Sequence, residues 1–195
     1  SSDLGLDTYY QAEGGEAALG NDLSNVYWTN WQSNDPVIRQ QIVQTEALDP
    51  IFSAIKQVSE ETQWIYLTTS DGMMRLYPWA SNDHYPDSWD PREIVFYSVA
   101  APNNNPTLKT QWTPPYVDFA GAGWMVTVST PVVGQSGDFL GVMSHDITID
   151  SLQEIALSIN VLDGSGYGFL IQNDGHVVTH PAVDAAAVQG AQGNV

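Results

Sequence analysis

Asp146 lies in "LGVMSHDITI", where an apolar, strand-like run meets the start of a helix. A carboxylate in such surroundings either bonds nearby backbone or is buried and needs a partner. The chain offers few partners: 23 Asp and Glu face only 5 Lys and Arg, for a formal net charge of -18. Local capping and recognition of a cationic ligand both stay open for Asp146. Tyr116 and Asp118 stand two apart in "WTPPYVDFAGAGWMVTVSTPVV", behind a rigid Pro-Pro turn and ahead of an alternating run. The rings of Tyr66, Tyr77, Trp79, Phe96, Tyr97, Trp112 and Tyr116 interleave with these segments. Core packing accounts for most such rings, while π-faces around a carboxylate suit an amine. Arg75 is one of three arginines. Facing a pocket, it would hold a ligand carboxylate with its planar fork; facing elsewhere, it would pair locally.

Other chemistry is weaker or absent. His176 and His180 are four apart, a poor metal spacing on one strand. Asp83, Asp87 and Asp90 share a loop but lack the twelve-residue calcium pattern and its fixed glycine. "GQSGD" resembles a nucleophile elbow only loosely and reads as a hairpin turn, and "GAG" at residues 121–123 reads as a turn as well. No P-loop, dinucleotide fingerprint or zinc-protease motif is present, so no catalytic residue and no cofactor is assigned. The chain has no Cys, which excludes disulfides and thiolate chemistry. The shortage of cations argues against nucleic-acid binding and against docking of a basic face on an anionic bilayer.

The elements that must carry these groups follow from periodicity. With 43% apolar residues, seven Trp and nine Tyr, 195 residues suffice for one well-buried core and a small extra module. Residues 1–33 show aromatic anchors without clear period and read as a frayed helix. Asp35-Pro36 starts a helix whose inner face is Ile38, Ile42 and Thr45; Asp49-Pro50 repeats the signal, with Ile51, Ile55 and Val58 as the inner face. "WIYLTT", a turn at Asp71-Gly72 and "MMRLYPW" predict a hairpin. "IVFYSV" reads as a strand, "GWMVTVSTPVV" and "FLGVMSHDITI" as two long strands joined at Ser136-Gly137. Asp150 is the expected cap of a final helix with Leu152, Ile155, Ala156 and Ile159 inward. "GYGFLIQNDGHVVTHP" then echoes "WIYLTTSDGMMRLYP", which hints at a second unit of the same kind. The class is α+β with an antiparallel sheet.

Four segments in order, "DPREIVFYSVA", "QWTPPYVDFAGAGWMVTVSTPV", "GDFLGVMSHDITIDSLQ" and "GYGFLIQNDGHVVTHP", resemble the double Cache sensor family over roughly residues 60–181. The resemblance implies a long N-terminal helix followed by two PAS-like modules, each built on a central antiparallel sheet with flanking helices. Residues 1–35 would be an N-terminal helical or linker segment, 36–162 the membrane-distal, ligand-binding module, and 163–195 the start of a membrane-proximal one. It implies an extracytoplasmic, non-catalytic sensing domain of a membrane-anchored histidine kinase, chemoreceptor or cyclase-type receptor, with room for a homodimer through the N-terminal helix. Members that bind amino acids carry an Arg, one residue, then Trp-Tyr after the Asp-Pro-Arg start; here those positions are Ile94, Phe96 and Tyr97, so the carboxylate anchor is missing. Tyr116 and Asp118 match the family's Tyr-x-Asp, and Asp146 its receiver of the ligand's amino group. The expected site is therefore Asp146 in a cavity lined by Phe96, Tyr97, Trp112 and Tyr116, with Tyr77, Arg75 and Asp118 at its rim. The expected ligand is an amine, the alternatives being a small organic acid held by Arg75 or a structural module of a surface protein.

Overall fold

The computed structural model describes residues 24–29, 35–86, 88–159, 163, 165–171, 173, 175 and 177–181. A short edge strand, β1 (Asn25–Tyr27), is followed by helix α1 (Pro36–Thr45), a 3-10 turn at Glu46–Leu48 and helix α2 (Asp49–Val58). Strands β2 (Thr62–Thr69) and β3 (Met74–Tyr77) form the predicted hairpin, whose turn holds Gly72 at φ +93°. A long connection contains 3-10 turns at Asn82–His84 and Pro91–Glu93 and the single-turn helix α3 (Val95–Ser98). Strands β4 (Gln111–Trp112) and β5 (Tyr116–Val117) lead to the long pair β6 (Trp124–Val133) and β7 (Phe139–Thr148), then helix α4 (Ile149–Ser158). The order across the sheet is β1-β3-β2-β7-β6-β4, with β5 also on β6, and every pairing is antiparallel. Strands β8 (Leu170–Ile171) and β9 (Val177–Thr179) make a separate two-stranded ladder. The α+β class and the single antiparallel sheet match the sequence expectation.

Alternation on the pleat decides which face each side chain serves. On one face Ile65, Leu67 and Tyr77 pack with Phe52 and Ile55 of α2. Ile38 and Ile42 of α1 pack with Val26, Trp28 and Met73. On the other face Tyr66, Met74, Leu76 and Val142 lie under the long connection, which brings Tyr85, Trp89, Phe96, Tyr97 and Ala100 down onto the sheet. That second face carries the candidate site.

Several local expectations change. Asp35 does cap α1, accepting from the backbone N–H groups of Val37 and Ile38. Asp49 does not cap α2; it lies within the helix, buried, because Arg75 claims its carboxylate at 2.8 Å. The inner face of α2 is Phe52 with Ile55, whereas Ile51 and Val58 are exposed. "IVFYSV" is not a strand. Asp90 caps a 3-10 turn through the Arg92 N–H, α3 follows, and packing of Phe96 and Tyr97 onto the sheet overrides β-propensity. Thr148, not Asp150, caps α4 by accepting from the Ser151 N–H, and of the expected inner face only Ala156 is buried, joined by Ile149. Within the expected N-terminal helical segment, residues 25–27 form β1, and the segment's remaining structure falls largely outside the described residues. "GQSGD" is the β6–β7 turn, with the Gly134 N–H donating to the Asp138 carbonyl.

Candidate functional site

Asp146 stands on β7, the central strand of the sheet, directly opposite Trp64 on β2 and Thr127 on β6. It is 3% exposed. Three hydroxyls converge on Oδ1: Thr127 Oγ1 at 2.6 Å, Tyr66 at 2.9 Å and Tyr116 at 3.5 Å. Oδ2 receives no hydrogen bond among the described residues, and Asp146 lines a small cavity between the sheet and the long connection. The cavity floor is Trp64, Tyr66, Met74 and Leu76 from the β2–β3 hairpin. Its walls are Phe96 and Tyr116, and its cover is Tyr85, Trp89 and Phe119, with Asp118 beside them. Tyr85 and Trp89 stack with centroids 4.4 Å apart, and Phe96 meets Tyr66 edge-on at 5.0 Å. The free volume is about 20 Å³, room for roughly one water molecule.

Burial dominates the electrostatics. Removal from water pushes the Asp146 carboxyl up to about 7, opposed by the hydroxyl bonds and reinforced by the nearby Asp118 charge. Burial also raises Tyr66 and Tyr116, and the Asp146 charge adds to this, so both phenols stay protonated and serve as donors. None of the five Lys and Arg lines the cavity. Arg75 is on the opposite face, Arg92 pairs with Asp90 at 2.7 Å, and Lys56 donates to the Thr62 carbonyl. The site therefore presents carboxylates, rings and hydroxyls, with no cation to receive an anionic ligand.

A raised carboxyl makes stability pH-dependent. Between the ordinary carboxyl value of 3.8 and about 7, the folded chain holds a proton at Asp146 that the unfolded chain has lost. Stability from this group is thus full below about pH 4 and is lost as pH rises toward 7. Three pKa units correspond to something on the order of 4 kcal/mol at most. Urea unfolding from pH 4 to 8 should show the ligand-free wild type losing stability relative to Asp146→Asn across this window. A flat difference between the two would remove the raised carboxyl.

Of the eight residues expected at the site, Asp146, Tyr116, Asp118 and Phe96 line the cavity. Tyr97 belongs to the same buried cluster but packs edge-on against Phe139 at 6.0 Å, away from the lining. Trp112 is 57% exposed and lines a separate groove with Pro114, Leu152 and Ile171. Arg75 and Tyr77 point to the helix face, because Met74 and Leu76, one residue out of phase with them, take the cavity side of β3. Trp64, Tyr66, Met74, Leu76, Tyr85, Trp89 and Phe119 line the cavity without having been expected there. Trp64 was legible in part, being two residues from Tyr66 in a run that alternates. Asp118 accepts from the Trp64 indole at 3.1 Å and from the backbone N–H groups of Ala120 and Ala122, so it holds a ring and a turn at once. In the acidic loop Asp83 bonds Ser81 and Asp90 bonds Arg92, while Asp87 lies outside the described residues. His180 packs on Tyr167 and Phe169; His176 also lies outside them.

The family model described as "Methyl-accepting chemotaxis protein-like, first PDC sensor domain" matches residues 37–154, more than half of the chain. The chain belongs to this family of sensor domains. It is similar to the methyl-accepting chemotaxis protein McpA of Pseudomonas putida, 33% identical over 162 residues that cover 80% of this chain and 24% of the relative. It is also similar to PscA of Pseudomonas syringae pv. tomato, 35% identical over 63% of this chain and 18% of that one. The chain thus spans about a quarter or less of the length of these curated relatives. Among solved structures, the ligand-binding domain of the Pseudomonas fluorescens chemoreceptor CtaA with L-serine matches at TM-score 0.56 and 25% identity, over 72% of this chain and 57% of that one. The corresponding domain of Pseudomonas aeruginosa PctC with GABA matches at 0.51 and 28%, over 68% and 53%. This sensor domain shares the fold of these chemoreceptor ligand-binding domains, and among its described residues no helix is long and apolar enough to cross a membrane.

Proposed function

We propose that the cavity beneath the Tyr85–Trp89 stack binds a small molecule through its amino group, with Asp146 as the receiving carboxylate. The observation that carries this reading is the Asp146 carboxylate itself: buried, with Oδ1 filled by hydroxyls, Oδ2 without a donor among the described residues, and no Lys or Arg lining the cavity. An ammonium there gains a charge-assisted bond in a low-dielectric site and ring faces around it. Thr127 and Tyr66 hold the carboxylate, Tyr116 bonds Thr127, Asp118 fixes Trp64, and Phe96 supplies apolar wall. The small free volume means that the ligand enters by parting the aromatic cover, and this displacement is the event to be sensed. The solved relatives' complexes with L-serine and GABA, which carry a carboxylate as well as an amine, support the amine half of this reading.

The wider reading follows the relatives. Residues 36–162 act as the ligand-binding module, with β1 added at its sheet edge, and residues from 163 open a second module. The domain lies outside the cytoplasm on a membrane-anchored chemoreceptor, without catalysis of its own, and pairs with a second copy through its N-terminal segment. The small-acid alternative loses its motive, since Arg75 is spent on Asp49 across the sheet.

A thermal-shift screen tests the central statement. A ligand that binds only the folded state at 100 times its Kd adds about 2.7 kcal/mol, a shift of several degrees. Primary amines are expected to raise Tm and simple carboxylic acids to leave it unchanged. Stabilisation by acids alone would overturn the reading.

A further inference from the structure

The cavity's donors can be accounted for one by one. The Trp64 indole N–H is taken by Asp118, the Tyr66 hydroxyl by Asp146, and the Tyr116 hydroxyl is shared between Thr127 and Asp146. Two donors are left over: the Tyr85 hydroxyl, which can accept as well as donate, and the Trp89 indole N–H, which can only donate. Trp89 lines the same cavity, is 8% exposed, and its indole N–H is buried with no acceptor among the described residues. A buried, unmade donor is costly, and it calls for an explanation.

Trp89 is not loosely held. Its carbonyl accepts from the Tyr27 hydroxyl and from Thr29, each at 2.9 Å, and its backbone N–H donates to the Pro86 carbonyl at 2.8 Å. Its ring is stacked on Tyr85 and meets Tyr27 edge-on at 5.1 Å. The indole is held by these contacts, while its one polar atom has no acceptor among the described residues. That is the form of a preorganised recognition group, since the cost of ordering it is met before a ligand arrives.

We propose that the Trp89 indole N–H is the ligand's second anchor, and that the ligand is a primary ammonium compound carrying a neutral hydrogen-bond acceptor and no carboxylate. This rests on Asp146 as receiver of the ammonium. An indole N–H donates and never accepts, so its partner must be an acceptor. A carboxylate would satisfy the donor but would enter a cavity already lined by Asp118 and Asp146 and by no Lys or Arg. Burying an unpaired anion beside two others is strongly unfavourable. Hydroxyl, carbonyl and imidazole nitrogen acceptors carry no such cost. Amino alcohols, amino amides and imidazolyl amines are therefore the class that fits.

Calorimetric titration of the wild-type domain with two matched series decides the matter. The branched series is leucinol, leucinamide, isoamylamine and leucine; the short one is ethanolamine, glycinamide, ethylamine and glycine. Within a series that binds, the hydroxyl and amide compounds are expected to bind about tenfold or more tighter than the bare amine and than the amino acid. In Trp89→Phe, which keeps a ring and removes the N–H, the ratio of leucinol to isoamylamine affinity, or of ethanolamine to ethylamine, should fall to near one. Equal binding of bare amine and amino alcohol by the wild type would mean that the indole meets water only, and would overturn the second anchor while leaving the amine reading intact. Tightest binding of leucine or glycine would overturn the exclusion of carboxylates. Binding of none of the ammonium compounds would overturn the amine reading and this proposal with it. Should Trp89→Phe fail to fold by circular dichroism, the three overturning results are still read on the wild type alone.

Discussion

Asp146→Asn is expected to weaken binding of any amine ligand by tenfold or more, while the ligand-free domain stays at least as stable as wild type at pH 8. The substitution keeps the size of the side chain and removes its charge. Truncating one partner of a buried, hydrogen-bonded charge pair typically costs about 2–5 kcal/mol, and each tenfold in affinity is about 1.4 kcal/mol. The Thr127 and Tyr66 hydroxyls that now donate to Oδ1 can rotate to serve an amide, so the local frame survives. Stability should rise because burial holds the Asp146 carboxyl up to about 7, so that at pH 8 the wild type keeps a desolvated charge that Asn lacks. Binding of an ammonium to wild type requires the ionised form, so affinity should increase as pH rises through about 7, with release of a proton near or below that pH. Titration in two buffers of different ionisation enthalpy measures that proton. Equal affinities for the two proteins would dismiss Asp146 as receiver. Asp118→Asn is the internal comparison: Asp118 already accepts three hydrogen bonds from Trp64, Ala120 and Ala122, so its replacement should disturb the turn more than the ammonium contact.

The second large effect is on stability, and it lies on the other face of the sheet. Arg75 is fully buried and binds Asp49 Oδ1 at 2.8 Å, Thr45 Oγ1 at 2.9 Å and the Ile42 carbonyl at 2.7 Å. One guanidinium thus joins the end of α1 and the start of α2 to strand β3. Arg75→Met should destabilise the domain by about 3–5 kcal/mol, because Asp49 would be left as a buried charge without its partner. The double replacement Arg75→Met with Asp49→Leu should recover most of that loss, since an apolar pair of similar volume is often as stable as a buried ion pair. Urea unfolding of the two single variants, the double variant and the wild type measures the coupling. If Arg75→Met alone costs less than about 1 kcal/mol, the network is not what fixes the helices to the sheet. Amine affinity, read in the same proteins below their unfolding midpoints, separates this structural role from a ligand contact. The double variant should bind as the wild type does, whereas an arginine that held ligand would take the affinity away with it.

What the sequence determined by itself was local and periodic. Asp35-Pro36 specified the start of α1 because a capping carboxylate followed by proline has one favoured geometry. Asp71-Gly72 and the alternation around it specified the β2–β3 hairpin, and the long apolar runs specified β6 and β7. The motif order named the sensor family, and the excess of acid over base pointed to an amine and away from nucleic acid. Asp146, Tyr116, Asp118 and Phe96 were legible because the motif carries them.

The tertiary structure decided the rest, for three physical reasons. Strand phase is a one-residue matter: a single step on β3 exchanges Arg75 and Tyr77 for Met74 and Leu76, and no composition argument says which pair faces the cavity. Long-range contacts override local preference: "IVFYSV" has strand residues but no strand neighbour, so it winds into α3 and delivers Phe96 to the ring of Tyr66. Burial sets chemistry: Asp49 and Asp146 are the same side chain, yet one is closed off by Arg75 and the other keeps an oxygen toward a cavity without a cation. Only the folded chain brings Trp89 above Asp146, and only there does the difference between a filled and an unfilled donor appear, because it depends on what the other side of the cavity has already claimed.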